Sequence, residues 1–372
     1  MSAAIPLPER VRKIAVVRAN GLGDFVFCLP ALQALRDGFP KAEIVMLGKP
    51  WLVELLRDRP APVDRVVVIP PARGVGAPDH EPQPPEAERV LERFLERMRE
   101  ERFDLAFQLH GGGQWSNPFV RRLGARISYG LRSPGAEALD HCIPYAYYQP
   151  EVFRYLEVVQ LAGVRVREWE PRLQVIEADL AEARAVLPAR RPLVVMHLGA
   201  TDERRRWPVA HFAAVGDALA DCGAAIAVAA VGDERALLHA LQRAMHHPVI
   251  DLGADCSLRR LVGALASADL MIGNDSGPLN LARAVGTATV GIYWCGNLIN
   301  AGPTTRARHR PLLSWRLNCP ECGADTTRQR CPHRPSFVAE VRPDEVIREA
   351  MDLLAAADRE AQAETPLDRL QA

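Results

Sequence analysis

The feature that most constrains this chain is a series of short, nearly continuous apolar runs separated by helix-length stretches, and the series occurs twice. The first opens with KIAVVR (13–18), the turn ANGLGD (19–24) and an apolar-periodic run from Phe25 to Leu35. It continues through AEIVMLG (42–48), DRVVVI (64–69) and FDLAFQL (103–109). Strands that are apolar along their whole length are those covered on both faces, and strands alternating with helices build a parallel α/β sheet. The second series begins after Pro171 with PLVVMHLG (192–199), AAIAVAAVG (224–232), HPVIDLG (247–253), ADLMIGN (268–274) and TATVGIYW (287–294). Helices are expected between them near 208–221, 234–244, 257–267 and 277–285.

Two sheets in series imply two Rossmann-like domains, one over 1–170 and one over 171–342, followed by a helix from Pro343 to Ala357 and a frayed polar tail to 372. A length of 372 residues suits two domains better than one. Pro70 to Glu86 holds six prolines and reads as a mobile surface loop, followed by a charged helix from Ala87 to Arg102. Glu151 to Gly163 reads as a helix, with the interdomain linker between Val164 and Arg190.

Composition narrows the function. Lys+Arg 46 and Asp+Glu 46 cancel, so no global field draws the chain to nucleic acid, and any membrane contact is local and peripheral. Only Lys13, Lys41 and Lys49 are lysines, so arginine abundance reflects a coding bias and each arginine must be argued singly. Met1 to Arg12 lacks a signal-peptide pattern, and the apolar run Cys222–Gly232 has 11 residues against about 20 for a membrane span. The expected location is the cytoplasm, with any membrane contact at the inner face of the inner membrane. Eight cysteines in such a chain argue for thiols or metal ligands and against a disulfide framework.

Three turns lie where the carboxyl ends of strands meet helices. In Arg18-Ala19-Asn20-Gly21-Leu22-Gly23-Asp24, Gly21 and Gly23 let backbone N–H groups approach a ligand, and Asp24 stands at the helix start as either a cap or a chemical group. The turn is a poor dinucleotide fingerprint, because Val26 replaces the third small residue and no acid follows the second strand. His197-Leu198-Gly199-Ala200 leads into Arg204-Arg205-Arg206-Trp207-Pro208, a basic run beside a helix start that suits a di-anion, although a solvated charge run reads the same way. Gly273-Asn274-Asp275-Ser276-Gly277-Pro278 runs from strand to helix and offers hydroxyl and N–H groups to a phosphate, or simply starts a helix.

In this order, R-x-x-G-L-G-D with LPAL (29–32), R-R-W-P before the helix at 208, and N-D-S-G-P-x-x-L-A-x-A-x-G (274–286) resemble the ADP-heptose:lipopolysaccharide heptosyltransferases, glycosyltransferase family nine. The resemblance spans nearly the whole chain. It implies the α/β GT-B fold, two Rossmann-like domains facing each other across a cleft, acceptor on the first and nucleotide-sugar donor, ADP-heptose, on the second. It also implies inverting transfer without a metal or other cofactor, and the chain has no D-x-D sequence. By resemblance Asp24 is the catalytic acid–base. Arg205 with Arg206 meets the donor diphosphate, Asp275, Ser276 and Gly277 form the phosphate turn, and Glu234 meets the donor ribose. The chain departs from the family at Asn280, where His is usual. HGGGQWSN (110–117), with Gln114 and Asn117, aligns with the acceptor-side loop. The chemistry is consistent without the resemblance: a base must take the acceptor proton while a cation neutralises the departing diphosphate.

Cys319-x2-Cys322-x8-Cys331-x-His333 has ligand types for a structural zinc or iron, set against a cysteine-bearing loop without metal. In the family it resembles, a branch that modifies proteins carries a cysteine metal finger late in the chain. The acceptor is therefore expected to be a glycolipid of the lipopolysaccharide core, with a protein acceptor as the alternative. An NAD(P)-dependent oxidoreductase and a non-catalytic sugar-nucleotide-binding module are the remaining readings.

Overall fold

The computed structural model describes residues 10–189, 192–329 and 331–364. The chain divides into two compact units, Met1–Gln174 and Val175–Ala372. The first holds strands β1 (Lys13–Val17), β2 (Glu43–Gly48), β3 (Arg65–Val68), the short pair β4 (Ala72–Arg73) and β5 (Gly76–Ala77), then β6 (Leu105–Gln108), β7 (Ile127–Arg132) and β8 (His141–Pro144). The second holds β9 (Leu193–His197), β10 (Ala225–Val228), β11 (Val249–Asp251), β12 (Leu270–Asn274), β13 (Ala288–Trp294) and β14 (His309–Ser314).

The main sheets run β3-β2-β1-β6-β7-β8 and β11-β10-β9-β12-β13-β14, every neighbouring pair parallel. Both are doubly wound sheets whose strand order reverses beside the first strand, at β1/β6 and at β9/β12. Ligands in such sheets bind outside the carboxyl ends of the strands at that switch point. The central strands are buried throughout, which is why they read as continuous apolar runs.

An aspartate just before a strand repeatedly pins the amino edge. Asp104 accepts from Arg12 and Lys13 N–H (2.7 and 3.2 Å), Asp64 from Ile44 N–H (2.7 Å), Asp140 from Ser128 N–H (2.8 Å) and Asp269 from Leu193 N–H (2.7 Å). Each joins the strand it precedes to the start of a neighbour, so these acids set register and are spent at the edge opposite the candidate turns.

Several sequence expectations need correcting. β7, β8 and β14 escaped the pattern because ISYGLR, HCIP and HRPLLS interrupt their apolar residues with polar ones, Gly or Pro. Pro144 and Pro311 are tolerated because β8 and β14 are edge strands, where a missing N–H costs no ladder bond. The Pro-rich segment is packed down: Ala72 and Val75 are buried in the first core and Gly74 O accepts from His110 Nε2 at 2.9 Å. The charged helix spans Pro85–Glu100. Within the expected linker stands a helix, Glu177–Arg184, whose Asp179 accepts from Ile176 N–H at 2.9 Å. It packs so closely on the helix Leu258–Ser267 that a Cβ on Gly263 would lie 1.9 Å from Asp179 O. The last helix extends over Pro343–Glu364, and Val346, Ala350 and Leu353 belong to the second core. The tail at 365–372 lies outside the described residues.

Candidate active site

In the first unit the chain leaves β1 at Arg18 and enters a five-residue helix, Leu22–Val26. Asp24 sits in its first turn. Its Oδ2 accepts from Gly21 N–H at 2.8 Å and its Oδ1 from Arg18 Nη2 at 2.7 Å. Gly21 is exposed, Gly23 half-buried, and a Cβ on Gly21 would approach Asp24 Oδ2 to 3.3 Å. Arg18 is enclosed: its Nη1 donates to Leu109 O (2.7 Å), its Nη2 also to Glu151 Oε2 (2.9 Å), and its guanidinium lies 5.0 Å from the Tyr155 ring centroid. Burial opposes the Arg18 charge, but Tyr155, Glu151 and Asp24 raise its pKa well above the usual arginine value. Burial also raises the Tyr155 pKa well above the usual phenol value, so the hydroxyl stays protonated and donates to Glu151. Sequence reasoning missed Glu151 and Tyr155. They lie on the helix Glu151–Gln160, where an acid in the first turn looks like an ordinary favourable end charge.

The loop after β6 lies beside this turn. His110 Nδ1 accepts from Ala19 N–H at 3.1 Å while Nε2–H donates to Gly74 O, which fixes the neutral tautomer. Burial, assisted by Arg18, lowers the His110 pKa to about 4. His110 thus ties the backbone of the Arg18–Asp24 turn to the Pro-rich segment. Gln114 is exposed on the loop, next to Trp115, whose ring lies 4.3 Å from the Arg73 guanidinium. Asn117 is fully buried, and its Nδ2 donates to Leu131 O (3.0 Å) and Glu137 O (2.8 Å). Through these bonds it fastens the loop to β7 from within.

In the second unit, the turns after β9 and β12 are sewn together by Asn274. Its Nδ2 donates to Leu198 O (2.8 Å), and its Oδ1 accepts from Trp207 N–H (3.0 Å). Trp207 is buried, with Nε1 donating to Val341 O (2.9 Å), so the basic run is anchored at its end. The three arginines separate. Arg204 pairs with Asp202 (2.6 Å), and Arg206 donates through Nε to Ala200 O (3.0 Å) and meets Glu203 at 3.4 Å. Arg205 Nη1 bonds Asp275 Oδ2 (3.0 Å), beside Asn297 Nδ2 at 2.9 Å from the same oxygen. Arg206 therefore braces its own turn and is not joined to the phosphate turn as expected. Asp275 is buried, which raises its pKa against the opposing pull of Arg205 and Asn297.

Ser276 precedes the helix Gly277–Ala284 in extended conformation (φ −156°, ψ 168°). It makes no side-chain cap bond, and its enclosed Oγ has no hydrogen-bond partner. A serine here normally satisfies one of the first helical N–H groups. The hydroxyl is instead uncommitted at a helix start, a place that suits a phosphate. Asn280 points inward: it is 3% exposed, donates from Nδ2 to Ser276 O (3.1 Å) and accepts from Arg283 Nη1 (3.0 Å). It supports the turn from beneath. Glu234 lies over the turn after β9. Its Oε1 is 3.5 Å from His197 Nε2 and would be 1.7 Å from a Cβ on Gly199, so a side chain at 199 would displace the Glu234 carboxylate.

The ligand atoms of Cys319, Cys322, Cys331 and His333 lie within 4.8 Å of one another. A tetrahedral metal with bonds of about 2.3 Å to sulfur places ligand atoms roughly 3.8 Å apart, so the set is near the required size. His333 Nδ1 is enclosed without a hydrogen-bond partner while Nε2 lies 3.6 Å from Glu321 Oε2, as in an imidazole that ligates through one nitrogen and is oriented through the other. Despite the burial that raises it, the Cys319 thiol is lowered to about 7 by N–H groups of Cys322 and Glu321 and by the adjacent thiols.

Two doubly wound parallel sheets in one chain are the architecture of the GT-B fold. The profile of glycosyltransferase family 9 (heptosyltransferase) matches residues 91–331, and the chain belongs to that family. It is 23% identical over 320 residues, covering 81% of this chain and 86% of the relative, to lipooligosaccharide heptosyltransferase 2 of Haemophilus ducreyi. Its fold matches that of the Escherichia coli ADP-heptose lipopolysaccharide heptosyltransferase II (TM-score 0.72, 18% identity, 93% of this chain and 99% of that one). It is also similar to the dodecameric iron-containing heptosyltransferase TibC of enterotoxigenic E. coli, solved with ADP-D-β-D-heptose (TM-score 0.55, 14% identity, 95% and 78%). Among the described residues no helix is long and apolar enough to cross a membrane.

Proposed function

We propose that this glycosyltransferase moves a heptose from an ADP-linked donor to an acceptor hydroxyl with inversion, using Asp24 as general base and Arg205 with the Ser276-Gly277 turn to hold the leaving diphosphate. The observation that carries the reading is the uncommitted Ser276 hydroxyl at a helix start, next to Asp275, which Arg205 meets. In the transfer, the acceptor O–H proton passes to an Asp24 oxygen as the new C–O bond forms at the anomeric carbon. The anomeric C–O bond to phosphate breaks, its electron pair leaves with the diphosphate, and Arg205 and the helix N–H groups meet that charge. With a guanidinium in this role, no divalent cation is needed at the diphosphate. Glu234, at the carboxyl edge over Gly199, is placed for a donor hydroxyl, and exposed Gln114 with Gly21 and Gly23 for the acceptor side.

The preferred acceptor is the lipopolysaccharide core, supported by the named relative, with the protein working from the cytoplasm at the inner face of the membrane. A protein acceptor is the second reading, favoured by the Cys/His cluster together with the iron-containing structural neighbour. Cys319, Cys322, Cys331 and His333 would hold a zinc or iron that supplies local rigidity. Incubating the purified protein with ADP-heptose and heptose-deficient lipopolysaccharide, with EDTA present, tests both points: a mass gain of one heptose on the glycolipid is expected. Gain only on a protein acceptor would favour the second reading, and activity abolished by EDTA would overturn metal independence.

A further inference from the structure

We infer that Glu151 is a positioning residue for the transfer step: it is the standing counter-charge that lets Asp24 accept a proton without leaving Arg18 buried and unpaired. This rests on the reading of Asp24 as the base. The Arg18 side chain is 2% exposed, and one of its nitrogens, Nη2, is shared between Asp24 Oδ1 at 2.7 Å and Glu151 Oε2 at 2.9 Å. A buried cation with a single anionic partner makes that partner costly to neutralise, because protonating it removes the only compensation for the charge that remains. General-base catalysis requires that neutralisation, since Asp24 ends the step carrying the acceptor's proton. A second carboxylate on the same guanidinium nitrogen removes the conflict.

Glu151 is held in place. The Tyr155 hydroxyl donates to its Oε2, and Arg154, itself 1% exposed, meets its Oε1 at 3.4 Å. Arg154 is held in turn by Tyr147 O (3.0 Å) and Gln149 O (2.9 Å) and by stacking on Tyr145 at 4.7 Å. The Tyr155 ring lies under Arg18, so one helix supplies both the counter-charge and the apolar cover. The two carboxylates differ in access: the Asp24 side chain is 34% exposed and Glu151 19%. Asp24 faces the reaction while Glu151 balances the cation behind it.

The test uses four full-length proteins, wild type, Asp24→Asn, Glu151→Gln and the double variant, with kcat, donor KM and melting temperature measured for each. Glu151→Gln keeps the shape and loses the charge, and should lower kcat by roughly 10-fold or more, part of the roughly 100- to 10,000-fold contribution of a positioned base. Donor KM should stay within about two-fold, and the kcat loss should vanish in the Asp24→Asn background. Each single variant should melt close to wild type, whereas the double variant, with Arg18 stripped of both partners, should lose more than the two single changes added. Glu151→Asp, which restores the charge, should recover much of kcat. An equal kcat loss in both backgrounds, or additive melting changes, would overturn the inference while leaving the Asp24 assignment standing. Normal turnover of Asp24→Asn would instead overturn that assignment and this inference with it. If Glu151→Gln does not fold, Tyr155→Phe, which frees Glu151 but keeps the ring, carries the same comparison, with a smaller kcat loss expected and an additive one overturning the inference.

Discussion

Arg18–Asp24 in the first unit and Arg205–Asp275 in the second are arginine–aspartate pairs at switch-point turns, and they are buried the opposite way round. In the first unit the Arg18 side chain is 2% exposed and Asp24 34%; in the second Asp275 is 5% exposed and Arg205 24%. The buried member is the holder and the exposed member is presented. One turn therefore exposes a carboxylate and the other a guanidinium. On the proposed function the first takes a proton and the second a phosphate, so the same kind of ion pair would serve two chemistries according to which half the surrounding fold leaves to solvent.

The largest expected effect breaks the presented carboxylate. Asparagine keeps the shape of Asp24 and one oxygen that can accept from Gly21 or Arg18, and Glu151 still faces Arg18, so Asp24→Asn should melt near wild type. It should nevertheless lose roughly 100- to 10,000-fold in kcat. Wild-type turnover would reduce Asp24 to a cap and remove the contrast.

Breaking the presented cation comes next. Arg205→Ala should cost about 2 to 4 kcal/mol in kcat/KM, the scale of a lost contact to developing anionic charge. Arg206→Ala, whose Nε bonds Ala200 O, should act on stability more than on donor affinity, so calorimetric titration with ADP separates the two arginines. Equal loss of ADP binding in both would return Arg206 to the diphosphate.

A third comparison uses buried histidines, one per unit. Burial lowers both His110 and His309 to about 4 from an ordinary value near 6.5. Between those limits the unfolded chain binds protons at these imidazoles that the native chain does not, so stability is full above about pH 6.5 and falls as pH drops toward 4. Each contributes on the order of 3 kcal/mol. Melting scans between pH 7 and 4 should show this slope, and His110→Asn should flatten its own share. An unchanged slope in that variant would show that His110 is not kept neutral by its burial beside Arg18.

The smallest effect on turnover is expected at the cysteine cluster. Cys322→Ser should lower bound zinc or iron from about one per chain and reduce the melting temperature, with kcat changed by less than about two-fold. A kcat loss as large as that of Arg205→Ala would give the cluster a catalytic part.

Much of this was legible in the sequence. Continuous apolar runs marked the central strands, Gly21 and Gly23 marked a turn of close backbone approach, and the spacing of Cys319, Cys322, Cys331 and His333 marked ligands that do converge. Side-chain orientation was not legible. Gln114 and Asn117 sit three residues apart, yet one is exposed and the other holds β7 from within. Arg205 and Arg206 are adjacent and diverge, because a short helical turn with Trp207 anchored after it sends consecutive side chains in different directions.

By itself the sequence determined the two parallel sheets, the three turns at strand ends and the residue types those turns offer, since each depends on local spacing and backbone freedom. Tertiary structure alone decided the strand order that makes those turns switch points. It also brought Glu151 to Arg18 across 133 residues and chose which member of each ion pair is buried. The reason is physical: hydrogen bonding and helix periodicity act along the chain, whereas desolvation belongs to everything folded around a group, and it is desolvation that separates a presented charge from a holding one.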